Sequence, residues 1–190
     1  MGAKLVKPEY GRRAAVGRGE SEKMDANAKK QALRMIPYGL YVLTAESADG
    51  QIAASTVNWV TQASFEPPLV AVGVKTDSGA HAIIKESKTF ALNILGKGQD
   101  AMAFSFFKPV EREGDSIAGE AFSPGSTGAP ILDNARAFVE CRLAETVEIG
   151  DHSLFVGEVV DAGYPGDLEG RPDDATLALR DLGEKTFYGG

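Results

Sequence analysis

The sequence predicts a mainly β domain with a few short helices, in the α+β class, closed as an antiparallel barrel. Three observations carry that expectation. Residues 38–45 (YGLYVLTA) and 51–57 (QIAASTV) are rich in β-formers and flank Asp49-Gly50, a turn signal that reads as a hairpin. Residues 137–149 alternate in polarity, and residues 153–162 (SLFVGEVVDA) return after a Gly150-Asp151 turn as the partner strand. The strands are not separated by regular helices, and neither GxGxxG after a strand nor GxxxxGK(S/T) occurs, so a doubly wound parallel sheet is disfavoured.

Each element has a local reason. Residues 1–23 carry six lysines and arginines against three glutamates, with many glycines, and read as a basic flexible arm ahead of one domain over 24–190. Asp25 is a helix N-cap; Ala28, Ala32, Leu33, Met35 and Ile36 supply an apolar face, and Pro37 ends the helix. Residues 69–74 (LVAVGV) form a short apolar run typical of a buried strand. Residues 78–85 fit a short helix, 89–95 a strand and 100–107 another helix. Within 137–149 the set Ala137, Val139, Cys141, Leu143, Glu145, Val147 and Ile149 is expected to face the core, with Glu140 on the outer side. A last helix is expected over 173–182, with Asp173 and Asp174 in its first turn, where the helix dipole favours them.

Composition excludes several function classes. With 27 acidic and 20 basic residues the net charge is −7, which argues against nucleic-acid binding. The single cysteine, Cys141, excludes an internal disulfide and any multi-cysteine metal site, and His81 and His152 are the only imidazoles, so no metal ligands are assigned. No apolar run reaches the ~18 residues of a membrane span, so no membrane partner is expected. The first residues lack the apolar stretch of a secretory signal, and Val6 breaks the myristoylation pattern, so the expected compartment is the cytoplasm.

For catalysis, no GxSxG elbow is present, and Asp151 and His152, adjacent on an expected strand, should point to opposite faces. Cys141, mid-strand among apolar neighbours, reads as an inert thiol. Residues 55–64 (STVNWVTQAS) are dense in hydroxyls and amides yet flanked by strand-forming sequence. They read either as a solvent-facing hairpin or as a ligand-lining segment, with Trp59 able to pack on a flat ring. Residues 75–81 (KTDSGAH) follow a buried strand and open a helix. They read as an ordinary cap or as a phosphate cradle in which Lys75, Ser78 and His81 add donors to the helix N-terminus.

Taken in order, SFEPPL at 64–69, FALNIL at 90–95 and GDH at 150–152 resemble the flavin reductase-like family, over about residues 30–165. The form QASFEPP with the ending LGEKTFYGG is similar to reductase modules associated with flavodiiron proteins and large rubredoxins. The resemblance implies an antiparallel FMN-binding split β-barrel of Greek-key type. It also implies FMN, or FAD, as cofactor and NAD(P)H as donor. The acceptor would be flavin or a redox protein partner, and the chain a homodimer with the flavin site at the subunit interface. It places Thr56, Val57, Asn58 and Trp59 along the isoalloxazine ring, and Gln62, Ala63 and then Ser64 toward the ribityl chain and phosphate. Lys75, Ser78 and His81 match phosphate contacts, and His152 matches a catalytic position on the nicotinamide side, with Asn93 in support. Two positions depart from the pattern: Ala54 replaces a common glycine and Trp59 replaces a serine. The tryptophan leaves open an FMN electron carrier without NAD(P)H activity. A barrel holding haem or a deazaflavin, with His81 and His152 as the available imidazoles, and an empty regulatory barrel are the remaining alternatives. Phe187 and Tyr188 are candidates to pack over the site.

Overall fold

Asp25 caps the first helix: its carboxylate accepts from the N–H groups of Asn27 and Ala28 and starts α1 (Ala26–Arg34). The structure, a computed structural model, describes residues 24–166 and 168–189, so the basic arm expected over 1–23 lies outside the described residues. The first hairpin pairs β1 (Tyr41–Glu46) with β2 (Ile52–Val57), and Gly50 takes the left-handed conformation (φ +83°) that the turn requires. Next come β3 (Val60–Ser64), β4 (Leu69–Lys75), α2 (Gly79–Ser87), β5 (Thr89–Ile94) and α3 (Asp100–Ser105). Four short strands follow: β6 (Arg112–Glu113), β7 (Ser116–Ile117), β8 (Glu120–Pro124) and β9 (Pro130–Leu132). The long hairpin of β10 (Ala137–Val147) and β11 (His152–Gly163) completes the sheet, and two single-turn 3-10 helices, Pro172–Ala175 and Leu179–Leu182, come last.

The main sheet has seven strands in the order β2-β1-β5-β10-β11-β4-β3, every neighbour antiparallel. Its two edge strands, β2 and β3, are separated by only Asn58 and Trp59. Three residue steps reach about 10 Å at most. The sheet must therefore curl until its edges nearly meet, which makes it a split barrel rather than an open sheet. Strands β6 to β9 form a separate four-stranded sheet.

Two apolar clusters fill the fold. One joins Ile84 of α2 to Leu43, Val72, Phe90, Leu92 and Phe155 beneath it. The other joins Leu40, Val42, Leu95, Phe106, Ile117 and Leu132 between the barrel, α3 and the small sheet. Asn93, fully buried, ties the two sheets together: its amide donates to Val42 O and Thr44 Oγ1, and its carbonyl accepts from Leu132 N–H.

The structure corrects several local readings. The apolar face expected on α1 buries nothing, and Leu33, Met35 and Ile36 are exposed. The expected helix over 173–182 is two 3-10 turns, because Thr176 and Ala178 between them bridge to Gly96 and Gly39. Glu140, expected to face outward, is buried, because the turn at 125–128 folds over it and donates the Ser126 and Thr127 N–H groups to its carboxylate. Residues 60–64, read within one polar segment, form the edge strand β3.

Candidate functional site

The corner where the barrel edges approach each other opens into a cleft of about 460 Å³, within the usual range for small-molecule sites. One wall is the end of β2, Ser55 to Val57, continuing into Asn58. The facing wall is the end of β4, Gly73 to Lys75, with Ser78 at the N-cap of α2. Phe106 and Phe107, just beyond α3, and Phe187 and Tyr188 supply aromatic surface. The Thr56 hydroxyl donates to Ala103 O at 2.7 Å and its N–H bonds Phe106 O at 3.0 Å, so this threonine pins the phenylalanine pair to the wall.

His152 enters from the first residue of β11, directly opposite Lys75 on β4. Contrary to the strand-alternation argument, Asp151 does reach it: the Nδ1–H group faces Asp151 Oδ1 at 3.0 Å. The reason is that Asp151 belongs to the turn before the strand, so alternation does not govern its direction. That bond leaves Nε2 as the acceptor, and the Tyr188 hydroxyl donates to it at 2.7 Å. Trp59 packs against both rings, with centroids 4.6 Å from His152 and 5.3 Å from Tyr188. Gly73 makes this possible, because a β-carbon there would sit 3.1 Å from the indole. Among the described residues the buried indole N–H of Trp59 has no hydrogen-bond partner.

The structure thus brings Thr56, Val57, Asn58, Lys75, Ser78 and His152 to one cleft, with Trp59 beside them. Gln62, Ala63 and Ser64 do not reach it within this chain, because the polypeptide crosses from one sheet edge to the other at residues 58–59 and carries them along β3. His81 also lies apart. It sits on the buried side of α2, with Nε2 2.8 Å from Ser153 Oγ and its ring against Phe155. Residue patterns missed Phe106, Phe107 and the Asp151 contact. An aromatic doublet ending a helix was the available signal for the first two.

Electrostatically the cleft has one polar end. Its hydrogen bond to Asp77 raises the Lys75 ammonium pKa, and the same bond holds the Asp77 carboxyl below its ordinary value. The bond from His152 likewise lowers Asp151. Burial raises the Tyr188 phenol, so it stays a hydroxyl donor at neutral pH. Ser78 receives His81 N–H at 3.2 Å, and the positive end of α2 opens beside Lys75. A flat heteroaromatic ring with an anionic tail fits this set: apolar and aromatic walls at one end, a cation and a helix N-terminus at the other. Cys141 is no nucleophile, since burial first and the Glu140 charge second push its thiol up to about 12.

Comparison with known proteins agrees with the geometry. Residues 33–181 match the family described as flavin reductase like domain. The NADH-dependent flavin reductase StyB of Pseudomonas fluorescens is 32% identical over 142 residues, covering 75% of this chain and 81% of that protein. The high molecular weight rubredoxin of Moorella thermoacetica is 33% identical over 147 residues, covering 75% of this chain but only 62% of the rubredoxin. Among solved structures, the NADH:FAD oxidoreductase SgcE6 of Streptomyces globisporus C-1027, in complex with NAD and FAD fragments, has a TM-score of 0.62 at 32% identity. That superposition covers 71% of this chain and 79% of SgcE6.

Proposed function

The chain belongs to the flavin reductase-like family, and on that premise we propose that its cleft holds FMN and that it passes reducing equivalents from NAD(P)H to flavin or to a redox protein. It is an oxidoreductase by family; the choice of FMN over FAD and the roles of individual residues are the proposal. Bound in the cleft, flavin supplies the hydride and electron chemistry, while the protein supplies binding, orientation and electrostatics.

The walls divide that work. Thr56, Val57 and Asn58 flank the ring, and Thr56 acts through α3, because its hydroxyl is already committed to Ala103. Lys75 and the N-terminus of α2 at Ser78 attract the phosphate. Phe106, Phe107 and Phe187 exclude water from the ring plane. His152 is the proposed catalytic residue. Asp151 fixes its Nδ1–H, so that Nε2 is the atom that holds or releases a proton toward the cleft. His81 steadies α2 against β11 through Ser153 rather than touching the phosphate.

The proposal includes a homodimer. Leu33 of α1 and Ile36 just beyond it line a groove of about 600 Å³ with Trp59, Val60 and Leu154, and this apolar surface is uncovered in the single chain. A second copy seated there would bring partner residues to the cleft and give the edge residues Gln62 and Ala63, which are exposed, and the half-buried Ser64 a place at the interface. A cytoplasmic setting accords with the described residues, in which no helix is long and apolar enough to cross a membrane.

The observation that carries the reading is the meeting, within the family match, of the β2 wall, the Lys75–Ser78 end and His152 on one cleft. Purified protein should show the two-banded visible spectrum of oxidised flavin, or acquire it on FMN titration, and NADH or NADPH should bleach it in stopped flow. Failure to take up FMN or FAD overturns the reading. One observation favours the second reading, an electron carrier: Trp59 and Tyr188 already engage the His152 imidazole. Tight FMN with negligible bleaching by either nucleotide selects that version.

A further inference from the structure

Residues 186–189 lie across the cleft as a strap. The Tyr188 hydroxyl donates to His152 Nε2 at 2.7 Å, and its carbonyl accepts from Asn58 Nδ2 at 3.3 Å. The Arg34 guanidinium stands 4.2 Å over the Phe187 ring, and its Nε–H points to Gly189 O at 3.5 Å. Gly189 lies on the indole of Trp59 with φ +116°, a conformation that disfavours a side chain, and a β-carbon there would sit 3.4 Å from Nε1. Under this strap the Trp59 N–H is buried without a partner among the described residues.

These facts conflict within a closed state. An unmet buried donor is costly, and two of the contacts that hold the strap down are long hydrogen bonds. Phe187 and Tyr188 remain half-exposed. The strap is therefore weakly latched, and lifting it frees three groups at once: the Nε2 acceptor of His152, the indole donor of Trp59 and the amide donor of Asn58. One acceptor beside two donors matches a primary carboxamide on a flat ring, the group a nicotinamide presents.

We propose that Tyr188 is a specificity-determining residue of this site: its hydroxyl occupies His152 in the closed strap, and the nicotinamide donor enters by displacing it. The inference rests on the oxidoreductase reading but makes a separate claim about the free protein. Trp59 is the single tryptophan of the chain and reports on the strap directly.

Acrylamide quenching of Trp59 fluorescence in the flavin-free full-length chain is the test. Tyr188→Ala should raise the quenching constant at least twofold over wild type. Gly189→Val, which strains the backbone while leaving Tyr188 in place, should raise it in the same direction. With FMN saturating, Tyr188→Phe should lower the KM for NADH by about three- to tenfold, the worth of one net hydrogen bond, and change kcat proportionately less. Equal quenching in wild type and both variants overturns the strap. Raised quenching with an unchanged or higher KM overturns Tyr188 as the competitor for His152. A chain that takes up no flavin sinks the functional reading and the nicotinamide claim with it, while the quenching comparison, made without flavin, still decides the strap.

Discussion

Helices α1 and α2 are each nine residues long, and each begins on a side chain that accepts backbone N–H groups, Asp25 in one and Ser78 in the other. Both carry apolar residues at helical spacing. Yet α2 buries Ala80, His81 and Ile84, while α1 buries none, and Leu33 on it and Ile36 just after it are 42% and 48% exposed. The difference lies in what stands opposite. The chain enters α2 straight from β4 and leaves it into β5, so the helix packs over the sheet and delivers Ser78 to the cleft. Helix α1 stands before the first strand, with its apolar side over an open groove. An amphipathic pattern states that a face needs cover; it does not state which surface supplies it.

The largest effect that would sharpen this contrast is at Ile84, fully buried on the inner face of α2. Ile84→Ala should cost about 3 kcal/mol by urea denaturation, from lost transfer energy and the cavity left behind. A cost under ~1 kcal/mol would mean that α2 is no better packed than α1.

A second anchored element is the loop held by Glu140. Burial by itself would raise this carboxyl, but the N–H groups of Thr127 and Ser126, helped by their hydroxyls, outweigh it and hold Glu140 below its ordinary value. With the folded value depressed, this contribution is complete above the ordinary carboxylate range. It is lost as pH falls through the depressed value. Glu140→Gln should therefore cost about 2 kcal/mol at pH 7, and the gap from wild type should narrow on acidification. A gap that holds constant down to acid unfolding would contradict the assignment.

Removing the cap of α2, Ser78→Ala, should cost about 1 kcal/mol and weaken FMN binding as well, because the same residue serves helix and cleft. Thermal melts and FMN titration read the two effects separately. Normal FMN affinity in a folded Ser78→Ala protein would remove this residue from the phosphate end. The smallest effect on the single chain is expected at Ile36. Ile36→Ser should change monomer stability by less than ~0.5 kcal/mol yet shift sedimentation toward the monomer, if a second copy covers α1. Unchanged sedimentation of a dimer would place the interface elsewhere.

The sequence by itself determined what is local. The β1–β2 hairpin was legible from Asp49-Gly50, α2 from Ser78, β4 from its apolar run and the β10–β11 hairpin from Gly150-Asp151, because turn and cap chemistry act over a few residues. Of the six proposed site positions in the cleft, Thr56, Asn58, Lys75 and Ser78 were legible as candidates in the residues themselves, while Val57 and His152 came only through the family resemblance. Only the tertiary structure decided the rest. Curling of the sheet turned residues 58–59 into a corner and sent Gln62, Ala63 and Ser64 to the far edge. The turn at 125–128 folded over Glu140 and buried it, and a turn rather than a strand let Asp151 reach His152. The strap brought Tyr188 onto a histidine 36 residues earlier in the chain. These features depend on which distant segments lie side by side, and no residue-by-residue preference encodes that.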